Sequence, residues 1–357
     1  MAETNATILI PDISGFTEFM TTTELAHSSF AINILIDAMI NAVGEEYEVS
    51  EIEGDAVLLI RKGAAPSQKE LMDICLKIFN AFHYQRMWLQ QYAVCPCGAC
   101  RAITHLALKF VVHHGPLAEI KVGRFTKQSG TEMIVAHRLL KNNINNNEYL
   151  LVTEKLLQQQ VADATSIEME WNSSSEEYPS IGKIDFRFAL LDNARKQVPE
   201  PPIPATYQAD DTSYFEMPIE ADYLDVYMVM MNIPGRSEWL QGLRKVEQDQ
   251  PMVFIGSVHV CSFDEYEATV SPMRMSISED AILFAESCKI KETGCSLVYE
   301  FVFRKAGENS SIFSARFMNA GESPIPPEVH DSLMAKIEVV AKSIKAYAEK
   351  TGTNLRH

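Results

Sequence analysis

Four of the six residues from Pro199 to Pro204 are proline. Proline fixes φ and lacks a backbone N–H, so no helix interior or central strand can run through this stretch. Polar, acidic sequence follows it to about Glu220. The chain is therefore expected to fold as two pieces, 1–195 and 221–357, joined by an extended Pro-rich linker over 196–220. A length of 357 residues suits two domains, and 46% hydrophobic residues is enough for a packed core in each.

The first piece alternates strand and helix signals. Ile8–Ile10, Val57–Ile60, Leu106–Val112, Tyr149–Val152 and Ile184–Leu191 read as short apolar strands. Glu24–Val43 carries apolar residues at helical spacing, Ser67 to about Tyr92 reads as a long amphipathic helix, and Met133–Asn142 as a shorter one. Asn142–Asn147 and Asn172–Glu177 read as polar turns. These elements predict an α/β sandwich around a mixed or antiparallel sheet.

Two acidic segments stand at strand edges in this piece. Pro11-Asp12-Ile13-Ser14-Gly15-Phe16 follows the first strand, and Glu51-Ile52-Glu53-Gly54-Asp55-Ala56 precedes the second. An aspartate beside a glycine at one strand end is ordinary turn chemistry. A matched pair makes an oxygen-rich site suited to Mg²⁺ or Mn²⁺ carrying phosphates.

The net charge of −17 and pI near 5.0 argue against nucleic acid or an anionic membrane as the main partner. No apolar run is expected to span a bilayer, and Met1–Asn5 lacks the basic start of a signal peptide. Seven cysteines, an odd number in a long chain, point to a reducing, cytoplasmic setting.

Asp-Ile-x-Gly-Phe together with Glu-x-x-Gly-Asp-Ala resembles the class III nucleotidyl cyclase domain, over roughly residues 5–192. The resemblance extends to His113-His114-Gly115-Pro116 at a strand end, and to Gly130 opening a helix that bears Arg138. It implies a ferredoxin-like α/β sandwich in an α+β chain, and an enzyme of the phosphorus-oxygen lyase type. That enzyme converts a nucleoside triphosphate to a cyclic nucleotide and pyrophosphate. Metal would be held by Asp12, the Ile13 carbonyl and Asp55. Arg138 takes the position that steadies the transition-state phosphate, where a guanidinium forks two donors onto phosphoryl oxygens. Its bland alternative is a surface salt bridge. Lys183 is the candidate phosphate lysine, with an ordinary solvated lysine as the alternative.

Glu51 falls on a base-specifying position and suggests guanine, and Lys127 on its partner position fits neither usual pattern. The family's ribose-orienting asparagine is replaced by Ile134. That departure supports a second reading, a catalytically weak or inactive homologue acting as a nucleotide- and ligand-binding signalling module. The resemblance also implies a head-to-tail homodimer with metals from one protomer and arginine from the other.

Cys95, Cys97 and Cys100 lie outside the family pattern. Three readings stay open: zinc, with Cys75, His83 or His105 as fourth ligand; redox-active or buried thiols; and a local disulfide.

The second piece reads as a strand at Asp222–Met231 and a short helical entry at Ile233–Leu240. Further strands are expected at Val253–Cys261, Tyr266–Val270, Met273–Ile277, Ala281–Ile290, Cys295–Arg304 and Ile312–Asn319, then a long helix from about Pro327 to Lys350. A curved antiparallel sheet with a long C-terminal helix resembles the helix-grip fold of START-like (SRPBCC) proteins. That resemblance implies a small hydrophobic ligand under the helix.

Overall fold

The structure is a computed structural model that describes residues 3–23, 25–94, 102–160, 169–203, 207, 213–248, 252–321, 325 and 327–351. The chain divides into two compact units, Met1–Gln90 with Arg101–Pro201, and Gln91–Cys100 with Pro202–His357.

The first unit holds an eight-stranded sheet: β1 (Glu3–Ser14), β2 (Glu48–Glu53), β3 (Ala56–Lys62), β4 (Ala107–Val122), β5 (Phe125–Ser129), β6 (Tyr149–Thr153), β7 (Trp171–Tyr178) and β8 (Gly182–Leu190). Their order is β2-β3-β1-β4-β6-β8-β7, with β5 paired to β4. Only β4 and β6 run parallel among the described pairings, so the sheet is mixed. Its helices are α1 (Phe16–Thr22), α2 (Leu25–Ala42), α3 (Gln68–Tyr92), α4 (Thr131–Leu139), α5 (Glu154–Leu157) and α6 (Asp192–Arg195).

The long α3 starts where its sequence provides a capping box. The Ser67 N–H donates to Glu70 Oε2 at 2.8 Å, and the Glu70 N–H donates to Ser67 Oγ at 3.3 Å. Ala6, Ile8 and Ile10 of β1 join Ala56, Leu58 and Ile60 of β3 on one face, beneath Met133 and Ala136 of α4. Alternation carries Asp12 onto that same face.

Contrary to the sequence expectation, α2 is long and apolar enough by composition to cross a bilayer. Its Ala31, Ile32, Leu35, Ile36 and Met39 are buried inside the unit, as in a core helix. Asn172–Glu177 is also not a turn, because it forms most of β7 at the sheet edge. An edge strand needs no apolar face, so polar composition misleads there. The same reason hides β2, whose side chains are exposed or half-buried.

The second unit contains β9 (Phe215–Ile219), β10 (Leu243–Gln248), β11 (His259–Phe263), β12 (Glu267–Ile277), β13 (Ala281–Ile290), β14 (Ser296–Gly307) and β15 (Ser310–Asn319). They form an antiparallel sheet in the order β10-β11-β12-β13-β14-β15-β9. The helices are α7 (Tyr223–Met231), α8 (Arg236–Trp239) and α9 (Pro327–Thr351). Four expectations change. The stretch read as linker up to Glu220 ends in β9, which pairs with β15. Val253–Cys261 becomes strand only from His259. Tyr266–Val270 and Met273–Ile277 fuse into β12, with a register shift between Pro272 and Arg274 where proline interrupts the ladder.

The fourth change is that Asp222–Met231 is helical. Asp222 caps it by accepting the Leu224 N–H at 2.9 Å. Seven of its nine residues are buried, so no 3.6-residue stripe marks it in the sequence. By contrast, α9 buries Leu333, Ile337, Ala341, Ile344 and Ala348, a clear stripe at three- and four-residue spacing.

Candidate active site

Asp12 sits near the end of β1, opposite Ala56 of β3 and Lys109 of β4. Asp55 occupies the turn between β2 and β3, directly after Gly54, which adopts φ +68°. That left-handed backbone suits glycine. The Ile13 N–H donates to the Asp55 carbonyl at 3.1 Å and ties the two acidic segments together.

Asp12 is only 9% exposed. Burial pushes its carboxyl up to about 6. Lys109 opposes that rise and the charge of Asp55 adds to it. Asp55 is also raised, chiefly by burial. Lys109 Nζ stands 3.7 Å from Asp12 Oδ2 and donates to the Leu140 carbonyl at 3.4 Å. Lys109 was not singled out from sequence, although a lysine inside an otherwise apolar strand was the available signal.

The arrangement is two part-buried carboxylates beside one ammonium. Such oxygen donors suit Mg²⁺ or Mn²⁺, which fill their remaining positions with water and substrate phosphate. Among the described residues, no cluster of three or more His, Cys, Asp or Glu could hold a metal. Any ion here would therefore depend on the substrate's own oxygens.

Arg138 follows His137, whose Nδ1 stands 3.4 Å from Glu53 Oε2. It is exposed near the end of α4 and lines a groove of about 470 Å³ with Lys127, Ile134, His137, Lys141 and Tyr178. Neither Asp12 nor Asp55 lines that groove. No ion pair to the Arg138 side chain is present among the described residues, so the salt-bridge alternative finds no partner there. Ile134 is 53% exposed, an unusual place for isoleucine.

Glu51 and Lys127 come together, although 76 residues separate them. Lys127 Nζ donates to Glu51 Oε2 at 2.8 Å, and this hydrogen bond raises the Lys127 ammonium above its ordinary value. Lys183 pairs instead with Asp185 at 2.6 Å on β8 and does not line the Arg138 groove.

The His113-His114-Gly115-Pro116 segment has a local structural reason. His113 Nε2 bonds Glu132 Oε2, and His113 Nδ1 bonds Thr153 Oγ1 at 2.8 Å. Lys155 Nζ donates to Glu132 at 2.6 Å. The His113 contact first, then Lys155, holds the Glu132 carboxyl down at about 2. A Cβ on Gly115 would meet Glu132 Cγ at 2.7 Å, so the packed glutamate demands glycine.

Cys95, Cys97 and Cys100 lie outside the described residues. Of their candidate companions, His83 is buried, with Nε2 2.9 Å from Glu148 Oε1. Cys75 is buried, which pushes its thiol far up. Among the described residues, no metal-holding group includes Cys75, His83 or His105.

Residues 32–149 match a family described as "Protein of unknown function (DUF2652)". A curated relative from Mycobacterium tuberculosis (strain ATCC 25618 / H37Rv), "Uncharacterized protein Rv2561/Rv2562", is 31% identical over 124 residues. The match covers 35% of this chain and 58% of the relative's length. Among solved structures, the guanylyl cyclase Cya2 is 15% identical, covering 53% of this chain and 92% of that one, with a TM-score of 0.38. The adenylyl cyclase CyaB from P. aeruginosa is 12% identical, covering 53% and 95%, with a TM-score of 0.35. Both of these structures are nucleotidyl cyclases, and each match covers about half of this chain. Likeness at this level leaves the chemistry to be read from the residues.

Proposed function

We infer that the first unit is a metal-dependent nucleotidyl cyclase domain that works as a head-to-tail homodimer. The observation that carries this reading is the Asp12–Asp55 pair, tied by the Ile13–Asp55 hydrogen bond and kept above the ordinary carboxylate range. Raised proton affinity marks carboxylates whose charge lacks full compensation, which is what a cation site requires.

In this reading Asp12, the Ile13 carbonyl and Asp55 hold Mg²⁺ or Mn²⁺. The bound ion would make the ribose 3′ hydroxyl acidic and offset the phosphate charge. The 3′ oxygen attacks the α-phosphorus, the bond from phosphorus to the bridging oxygen breaks, pyrophosphate leaves and the hydroxyl proton passes to water. Lys109, beside Asp12, faces the same anionic substrate. Arg138 of a second copy donates to the α-phosphoryl oxygens as their charge develops. Exposed Ile52, Ile120 and Ile134 supply apolar surface for such a contact.

Glu51 and Lys127 together present an acceptor and a donor to the base, so a paired edge rather than a lone carboxylate selects it. Ile134 offers only apolar contact to the ribose. That is the specific observation behind the second reading, a nucleotide-binding module with little turnover. The second unit is read as a START-like helix-grip domain whose apolar ligand modulates the first.

Purified protein with Mn²⁺ and each of ATP, GTP, CTP and UTP tests this. The expected result is a cyclic product from one purine nucleotide, reduced about a hundredfold or more in Asp55→Ala. Metal-dependent nucleotide binding without product would select the second reading.

A further inference from the structure

The chain enters the second unit twice. The last two residues of α3, Gln91 and Tyr92, and the two that follow belong to that unit, while residues 68–90 of the same helix belong to the first. Residues 91–94 are held in the second unit through both backbone and side chains. Ala93 forms an antiparallel bridge with Phe254. The Val94 N–H donates to the Val253 carbonyl at 3.1 Å, and the Ile255 N–H donates to the Tyr92 carbonyl at 2.8 Å. Gln91 Nε2 and the Tyr92 hydroxyl both donate to the Pro202 carbonyl, at 3.0 Å and 2.8 Å. Val94 has no exposed surface and packs in the second unit's core. Connecting segments ordinarily run over the surface, so a buried and paired one is a structural part of the unit it enters.

The Val94 carbonyl also accepts the hydroxyl of Tyr227 on α7. Tyr227 is fully buried, edge-on to Phe284 and Phe303, and its hydroxyl lies 3.4 Å from Met275 Sδ. One turn further along α7, Met230 lines a cavity of about 470 Å³ between the sheet and α9. The Met230 carbonyl accepts the Arg236 Nε–H at 2.9 Å, and Arg236 pairs with Glu286 at 3.2 Å. Both charged residues are buried and line the same cavity. A single turn of α7 thus meets the cavity on one side and Val94 on the other.

Within the first unit, the same helix end is fixed to the strand that serves the aspartate pair. Arg86 is buried and lies fewer than two turns before Tyr92. It donates to the carbonyls of Thr104 and Leu106, the latter at 3.3 Å. Leu106 directly precedes β4, which sets Lys109 opposite Asp12.

We propose that residues 91–94 are the joint through which the second unit acts on the first. Filling or loosening the second unit changes how firmly α7 and residues 253–255 hold the end of α3, and Arg86 passes that change to the start of β4. This rests on the reading of the second unit as a ligand-binding domain that modulates the first, and names the segment where the modulation enters.

The test is amide hydrogen exchange on the full-length protein, read by mass spectrometry on peptides covering 86–92 and 104–109, with α2 as the control. Ile344→Ala opens a cavity in the second unit's core from α9. It should speed exchange in both peptides at least about tenfold and leave α2 unchanged. The milder Ile344→Val should give about threefold, and it decides the matter should the alanine variant not fold. Tyr227→Phe keeps the ring and removes the hydroxyl that Val94 accepts. It should speed both peptides about threefold to tenfold, and in its background the step caused by the Ile344 change should shrink by about threefold. Saturating Nile red, an apolar probe for the cavity, should slow both peptides about fivefold in the wild type. Unchanged exchange in the Ile344 variants, an Ile344 effect of equal size with and without the Tyr227 hydroxyl, or bound Nile red that leaves both peptides unmoved would overturn the joint. Failure of Nile red to bind would overturn the ligand-binding reading instead, with the Ile344 and Tyr227 variants still deciding the joint.

Discussion

Asp12 makes the sharpest prediction at the residue scale. An unfolded aspartate ionises near 3.8, whereas the folded Asp12 holds its proton to about 6. Between those values the unfolded chain has released the proton and the folded chain has not. Stability at this group is therefore fully present below 3.8 and is lost as pH rises through 6. At 1.36 kcal/mol per pH unit the loss amounts to about 3 kcal/mol. The stability difference between wild type and Asp12→Asn, followed by urea unfolding without metal from pH 3.5 to 8, should move by about that amount in favour of the variant. Mn²⁺ needs the ionised carboxylates, so its affinity, measured by calorimetry, should climb to about pH 6 and then level off. A flat profile in both experiments would remove Asp12 from the site. Both aspartates were legible in sequence because an acidic residue at the edge of an apolar strand stands out. The role of Lys109 is not legible there, because only the register of β1 on β4 sets it opposite Asp12.

Among the secondary-structure elements, two joints carry measurable consequences. Asp222 caps α7, and Asp222→Ala should cost about 1 kcal/mol in chemical denaturation while leaving Mn²⁺ binding by the first unit unchanged. Gly115 of β4 lies under Glu132 of α4, and Gly115→Ala should cost about 1–3 kcal/mol. In the Glu132→Ala background the added methyl has room, so most of that cost should disappear. A cost that stays the same in both backgrounds would show that the clash is not its source. Elements with a one-sided apolar stripe, such as α9, were readable from spacing alone. Elements at the extremes were not. The α7 segment is buried almost all round, and β2 and β7 are barely buried at all, so neither kind shows a period.

For the whole molecule, the two-chain site makes the decisive prediction. Arg138→Ala should lower activity about 100- to 1000-fold while the fold and Mn²⁺ binding persist. Mixing inactive Asp55→Ala with inactive Arg138→Ala should restore activity to about a quarter of wild type. A head-to-tail heterodimer rebuilds one of its two sites, and half of randomly formed dimers are heterodimers. No recovery in a mixture shown to exchange subunits would place Arg138 and the aspartates in one chain's site, or Arg138 in none. The sequence by itself determined the break at the proline run, the periodic helices, the apolar strands and the two strand-edge aspartates. Each of these is written in residues close together in the chain, where spacing and conformational restriction act directly. Tertiary structure alone decided that Glu51 meets Lys127, that Lys109 neutralises part of the aspartate pair, that Arg138 shares a groove with Lys127 and Tyr178, and that a buried Arg236–Glu286 ion pair lies in the lining of a cavity. These depend on strand register and burial, which no local pattern encodes.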